Sequence, residues 1–599
     1  MTTLINPKKI KGGEFLISET NAQDIFIPEE WGEEQNMIAQ SCIDFLNTEV
    51  FQNLDEIDSM KDKDLMPGLL RKTGLLGLLG SAVPEKYGGF GMDFNTNLLI
   101  AESFGGGHSF VVSFLAHNGI GTLPILFFGT EEQKQKYLPG LVSGDLLSAY
   151  CLTEPDAGSD ANASKTKAVL AEDGQHYIMN GQKMWITNAG FADVFIVFAK
   201  IENDKYLTAF IVEKEFGGIT MNEEEKKLGI KGSSTRQIFF NDCHIPVENQ
   251  LGDREQGFKI ALNILNIGRI KLGAATTGGA KLSLNKSIKY ANERKQFGVT
   301  IGTFGAIKHK LAEMAVGIYA SESALYRTGQ NIEETGLAYI SEGEEHAMAK
   351  MKSIEEFAIE CAIQKVHSSE ILDFAVDESV QIHGGLGFSA DGPVERGFRD
   401  ARINRIFEGT NEINRLVTID MLLKRAMKGQ LDLLTPAMGV QKELTSVPDF
   451  GTNGSNSIFN MEKKVMANLK KIGLMVAGAA VQKLMANLKD EQEILMNLAD
   501  MLIEGYVAES TLLRVEKLVT LRGEDNCKNQ IDIAKIYLYN AVDKINNAAK
   551  EAIFAFAEGD ELKMMMLGLK RFTKIEPFNL KEARRRVADH LLKDNKYSF

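Results

Sequence analysis

A chain of 599 residues is too long for one hydrophobic core and requires several domains. It is 44% hydrophobic and 25% charged with 12 prolines, the composition of a folded chain rather than a disordered one. A formal charge of −14 argues against nucleic-acid binding, and five scattered cysteines with no CxxC pair argue against a zinc site or a disulfide framework and fit a reducing cytoplasm.

The opening MTTLINPKKIKGGEF has no secretory apolar core, and no apolar run is seen to approach the ~20 residues that span a bilayer. Residues 1–147 are expected to form an N-terminal helical domain. Leu65, Leu69 and Leu70 recur at helical spacing, AVPEKYGGFGMD (82–93) is a Gly/Pro loop, and Thr130 with Gln133 three residues later signals a helix start. From 148 to 252 the pattern changes to a β-barrel-like middle domain. Short alternating runs at 176–180, 194–200, 208–213 and 237–241 are separated by Asp-Gly and Asn-Gly turns. Amphipathic segments at 258–294, 307–328 and 341–366 then predict a C-terminal four-helix bundle over 253–428. Residues 429–460 are expected to be a linker around the polar stretch VPDFGTNGSNS, followed by an appended helical domain at 461–599. The fold class is α+β, mostly α.

Four clusters carry chemistry. CLTEPDAGSD (151–160) offers hydroxyls at Thr153 and Ser159 beside a glycine that admits a flat ligand, or is simply a Pro/Gly turn. KMWITN (183–188) places Trp185 and Thr187 two residues apart on one strand, hence on one face, which suits an aromatic ring as well as a core Trp. QIHGGLGFSADGPVERGFRD (381–400) has glycines that admit a phosphate, but it follows no strand and is not a dinucleotide fingerprint. RIFEGTNEINR (405–415) sets Glu408 beside a glycine, either exposed by a sharp bend or solvated ahead of a helix N-cap. No metal is expected.

In order and spacing these clusters, with ERKQFG (293–298), resemble the signature regions and catalytic loop of acyl-CoA dehydrogenases, over about residues 28–425. The resemblance implies FAD between the middle domain and the bundle. Thr153, Ser159, Trp185 and Thr187 would contact the flavin ring. Arg294, Phe297, Gln381, Gly384 and Gly385 would hold the FAD of a neighbouring subunit, and Thr410 the chain's own FAD. Glu408 would be the base, with Ser159, Arg269 and Gly409 bordering the substrate. In ILNIGR, Gly268 stands where some family members carry the glutamate instead, which leaves Glu408 as the base.

The helical extension resembles the very-long-chain branch, which implies a long-chain acyl-CoA substrate in fatty acid β-oxidation, a homodimer and an electron-transfer flavoprotein as acceptor. Ala116 is small enough to leave the far end of an acyl pocket open. An acyl-CoA oxidase, a non-catalytic flavoprotein scaffold and a dehydrogenase specialised for branched or aromatic acyl groups are the competing readings. The apolar run 472–481, flanked by lysines, is read as a buried helix, with weak peripheral membrane contact as the alternative.

Overall fold

The structure is a computed structural model and describes residues 9–444 and 458–599. The first domain is helical, with α1 (Glu33–Phe45), α2 (Phe94–Ser103), α3 (Ser109–Leu115), α4 (Leu123–Phe128) and α5 (Glu131–Ser143) framing it. At the start of α5, Thr130 Oγ1 accepts the Gln133 N–H at 3.2 Å while Gln133 Oε1 accepts the Thr130 N–H at 3.0 Å, the reciprocal cap the sequence signals. A π-helical turn, Ala116–Gly121, joins α3 to α4. The stretch Ser109–Phe128 contains an 18-residue window with a mean hydropathy of 1.6, so an apolar run of near-spanning length does exist, contrary to the sequence reading. It is mostly buried, and Phe110 and Phe114 pack against Phe104 inside the domain, so its apolarity serves the core.

The middle domain contains β1 (Ser148–Cys151), β2 (Lys167–Leu170), β3 (His176–Thr187), β4 (Val194–Ile201), β5 (Thr208–Glu213), β6 (Ile219–Met221), β7 (Thr235–Pro246) and β8 (Gln250–Leu251). Their order is β6-β7-β3-β2-β4-β5-β8, with β1 parallel to β4. The two halves of the sheet meet only through the short β2–β4 pairing and fold over one core that includes Phe195, Val197, Phe210, Ile238 and Phe240. β4 and β5 fall where the alternation predicts, β3 and β7 are longer than predicted, and β3 carries a bulge between Lys183 and Ile186 where Trp185 takes φ +61°. That bulge breaks the two-residue period, so the same-face argument for Trp185 and Thr187 does not hold as the sequence suggested.

The bundle is α6 (Gly257–Glu293), α7 (Gly305–Ser341), α9 (Ala358–His383) and α10 (Asn411–Met427), with α8 (His346–Glu356) leading into α9. The expected helix at 341–366 is not one element. α7 runs on to Ser341, Gly343 at φ +98° breaks it, Glu345 caps α8, and Phe357 separates α8 from α9. Within the expected linker, α11 (Leu434–Leu444) is helical, while the polar stretch 447–457 lies outside the described residues.

The appended domain is α12 (Asn460–Leu484), α13 (Gln492–Arg522), α14 (Lys528–Phe556), α15 (Gly559–Phe572) and α16 (Leu580–Asp594). The run 472–481 lies in α12, with Ile472, Val476 and Ala480 fully buried. Arg514 of α13 ties this domain to the bundle and the N-terminal segment. It is fully buried, donates to Glu322 at 2.7 Å and to Glu29 at 3.0 Å, and lies 3.9 Å over the Tyr319 ring.

Candidate active site

Glu408 sits in the turn between the short 3-10 helix Arg402–Arg405 and α10. Its φ is +57° and that of Gly409 is +83°, two successive left-handed residues of which only the glycine adopts that conformation freely. Thr410 closes the turn as N-cap of α10, its hydroxyl accepting the Ile413 N–H at 3.2 Å. The N-cap and the sharp bend are therefore both present, and the bend aims Glu408 inward. Its carboxylate packs on α6 at Gly268, where a Cβ would lie 2.7 Å from Oε2.

The electrostatics follow from that placement. Glu408 Oε2 is excluded from solvent and has no hydrogen-bond partner among the described residues. Burial pushes the Glu408 carboxyl up to about 7, against the opposing pull of Arg269 and then Lys365. Arg269 is buried rather than on a helix surface, and donates to the Glu408 carbonyl at 3.2 Å and to Asn266 Oδ1 at 2.9 Å. The Tyr150 hydroxyl on β1 is also buried and without a partner among the described residues, its pKa raised by burial and then by Glu408. A carboxyl poised near neutrality, with one oxygen shut off from water, can accept a proton from a weakly acidic carbon.

The hydroxyl and indole groups lie along the edge of the β-domain. Thr153 and Thr187 are half-buried, Trp185 is 54% exposed, and Ser159 is exposed. None of the hydroxyls of Thr153, Ser159 and Thr187 has a partner among the described residues. The two signature segments are joined by the Met184 N–H donating to the Thr153 carbonyl at 2.8 Å.

Beneath them is a pair that sequence reasoning missed. Lys183, fully buried, donates to Glu154 Oε1 at 2.7 Å and to the Leu152 carbonyl at 3.2 Å. Burial works to raise the Glu154 carboxyl, but the charge and hydrogen bond of Lys183 outweigh it and hold the group down at about 2. Lys183 is one of several polar residues of β3, so its setting in the sequence does not mark it as buried. An exposed indole, unpaired hydroxyls and the orphaned Tyr150 hydroxyl suit a flat, hydrogen-bonding aromatic ring.

Arg294, Phe297, Gln381, Gly384 and Gly385 are not brought to Glu408. Arg294 ends α6 and Gln381 lies in the last turn of α9, whose ends are linked by stacking of Tyr290 on His383 at 4.2 Å. Phe297 is 95% exposed and Gly384, at φ +60°, is on the surface.

A β-domain set between helical domains, with a buried carboxylate facing a bundle helix beside an open aromatic edge, defines an acid–base enzyme built for a flat cofactor. Models of the acyl-CoA dehydrogenase N-terminal domain match residues 32–145, of the middle domain 149–243, and of two C-terminal domains 255–423 and 468–571. A Bacillus subtilis (strain 168) protein named "Probable acyl-CoA dehydrogenase" is 45% identical over 98% of both chains. The human mitochondrial very long-chain specific acyl-CoA dehydrogenase is 42% identical over 57% of this chain and 51% of its own. The crystal structure of a Bacillus anthracis acyl-CoA dehydrogenase complexed with FAD superposes with a TM-score of 0.95 at 46% identity, covering 98% of this chain and 100% of that one. The chain belongs to the acyl-CoA dehydrogenase family, and is an oxidoreductase.

Proposed function

We propose that the protein is an FAD-dependent dehydrogenase that converts long-chain acyl-CoA to trans-2-enoyl-CoA, with Glu408 as the base. The observation that carries this reading is the Glu408 turn. A carboxylate whose Oε2 is solvent-excluded and unpartnered follows directly on a backbone N–H that also lacks a partner among the described residues. Glu408 takes the α-proton of the thioester as the Cα–H bond breaks, and its own N–H donates to the thioester carbonyl where negative charge gathers. Arg269, held at the Glu408 carbonyl, keeps that N–H and carboxylate in register. FAD, when bound, supplies the acceptor for the β-hydride that leaves as the double bond forms. Trp185, Thr187, Thr153 and Ser159 would hold its ring, and Thr410 its ribityl-phosphate side.

Long-chain preference is supported by Ala116, a small buried residue at the start of the π-helical turn, by the likeness to very long-chain enzymes, and by the appended domain. The exposed Phe297 and the surface positions of Arg294, Gln381, Gly384 and Gly385 favour a homodimer in which they serve the partner's FAD. An electron-transfer flavoprotein is the proposed acceptor. Anaerobic bleaching of the bound flavin by acyl-CoAs of four to twenty carbons tests the reading. A maximum at long chains is expected. Bleaching only by the shortest would overturn the substrate class, and none at all would overturn the activity.

A further inference from the structure

The turn that carries Glu408 is held from behind by its carbonyls. Three successive backbone oxygens meet side chains from three helices. Arg269 Nε of α6 donates to Glu408 O, Lys365 Nζ of α9 donates to Gly409 O at 2.7 Å, and Asn414 Nδ2 of α10 reaches Gly409 O at 2.8 Å and Thr410 O at 3.0 Å. Lys365 also donates at 2.7 Å to Asn411 Oδ1, just beyond the turn, and Asn411 Nδ2 is in turn fixed by Ser369 and Glu370. In a trans peptide the C=O and the following N–H point in opposite directions. Carbonyls of 408 and 409 drawn into the bundle therefore turn the N–H groups of Gly409 and Thr410 away from it, and those groups, like that of Glu408, have no partner among the described residues.

Lys365 is fully buried, and no carboxylate bonds to its ammonium among the described residues; both of its acceptors are neutral oxygens of the turn and the helix it starts. Such a buried cation, donating to the turn that bears a buried carboxylate, is more than packing.

We propose that Lys365 is a positioning residue of the reaction: its ammonium fixes the turn that presents Glu408 and sets a second cation, after Arg269, beside the base. The inference rests on Glu408 being the base. The groups facing Glu408 are Arg269 from α6, Lys365 from α9 and Tyr150 from β1; those facing Lys365 are Glu408, Arg269, Glu370 and Glu412. Burial lowers Lys365 to about 7 while Glu408 pulls it up, and Lys365 in turn lowers Glu408. Taking that cation away leaves Arg269 as the only remaining cation among those groups, so Glu408 binds its proton more tightly and the acid limb of the rate profile moves to higher pH.

The test uses FAD-loaded Lys365→Gln, which keeps a donor but not the charge, and Lys365→Arg, which keeps the charge. Bleaching by the best acyl-CoA is followed from pH 6 to 9. A 3-thia-acyl-CoA, which can lose its α-proton but has no β-hydride, reports proton transfer alone through its long-wavelength charge-transfer band. For Lys365→Gln both limbs are expected to rise by about one pH unit or more, and for Lys365→Arg to stay near wild type. If Lys365→Gln does not retain FAD, Lys365→Met must show the same shift. An unmoved limb with a normal rate, or an equal loss at every pH in all variants, overturns the proposal. Glu408→Gln measured alongside separates the two readings: wild-type bleaching there removes the base itself, whereas a dead Glu408→Gln with an unmoved Lys365→Gln removes only the role of Lys365.

Discussion

Gly268 and Glu408 share one space: a Cβ at position 268 would lie 2.7 Å from Glu408 Oε2 and 2.9 Å from its Cδ. Both atoms belong to the carboxylate proposed as the base, so any side chain at 268 has to push it aside. We expect Gly268→Ala to retain FAD but to bleach it about 100-fold more slowly, the usual size of an ångström-scale misplacement. A crystal structure of the variant should show the carboxylate displaced. A wild-type rate would mean that the base is elsewhere.

Glu408→Gln preserves shape and removes basicity. Flavin reduction should fall at least about a thousandfold, while FAD content and acyl-CoA binding, measured by titration of the flavin spectrum, stay near wild type. In the wild type the carboxyl is raised to about 7, so the protonated, inactive form dominates below that pH and the rate should climb as pH passes through it. A flat profile between pH 6 and 8 would contradict the assignment.

A second buried carboxyl makes stability pH-dependent in its own right. Glu360 Oε1 accepts the Gly13 N–H at 2.7 Å and Oε2 has no partner among the described residues. Burial raises the group to about 7 despite that hydrogen bond. A carboxyl raised on folding binds its proton more tightly folded than unfolded. Its contribution is complete below the ordinary carboxylate range and is lost as pH rises through about 7, by an amount on the order of 3 kcal/mol. Glu360→Gln should flatten that part of the decline in urea unfolding between pH 5 and 8. An unchanged slope would place the titration elsewhere.

Trp185 is 54% exposed on its bulge, whereas Trp31, the other tryptophan, packs against Phe26 and Tyr326. Adding FAD to apoprotein should therefore quench mainly the Trp185 emission. Trp185→Phe should leave only the fluorescence of the half-buried Trp31, with little further quenching. Equal quenching in the variant would place the flavin away from β3.

Much of this was legible in the sequence, for reasons that differ by element. Thr130 and Gln133 announced α5 because a capping box is purely local. Glu408-Gly409-Thr410 announced a bend and a cap for the same reason. The bulge at Trp185 was not legible, because an extra residue in a strand is defined only by the partner strand β7. Nor was Lys183–Glu154 or Lys365–Gly409, since each pairing links residues distant in the chain and each lysine alone looks like solvent-facing charge. The α8–α9 break was not legible either: Phe357 is a fully buried apolar residue at the break, and its residue type gives no sign that the helix stops there.

The appended domain depends on Arg514 in a way that composition does not reveal. Its guanidinium neutralises Glu29, which has no other cation in contact among the described residues, and Glu322, which also pairs with Lys281. Replacing Arg514 by Met would strand Glu29 in the interior. Removal of one partner of a buried pair typically destabilises by about 3–5 kcal/mol, because the remaining charge is left uncompensated rather than because an attraction is lost. Urea unfolding of Arg514→Met should show a loss of that order. Adding Glu29→Gln should then recover a substantial part of it, since the stranded charge is gone. If the double variant is no more stable than the single, the loss comes from the missing guanidinium over Tyr319 and from packing, and the ion pair is not what holds the domain.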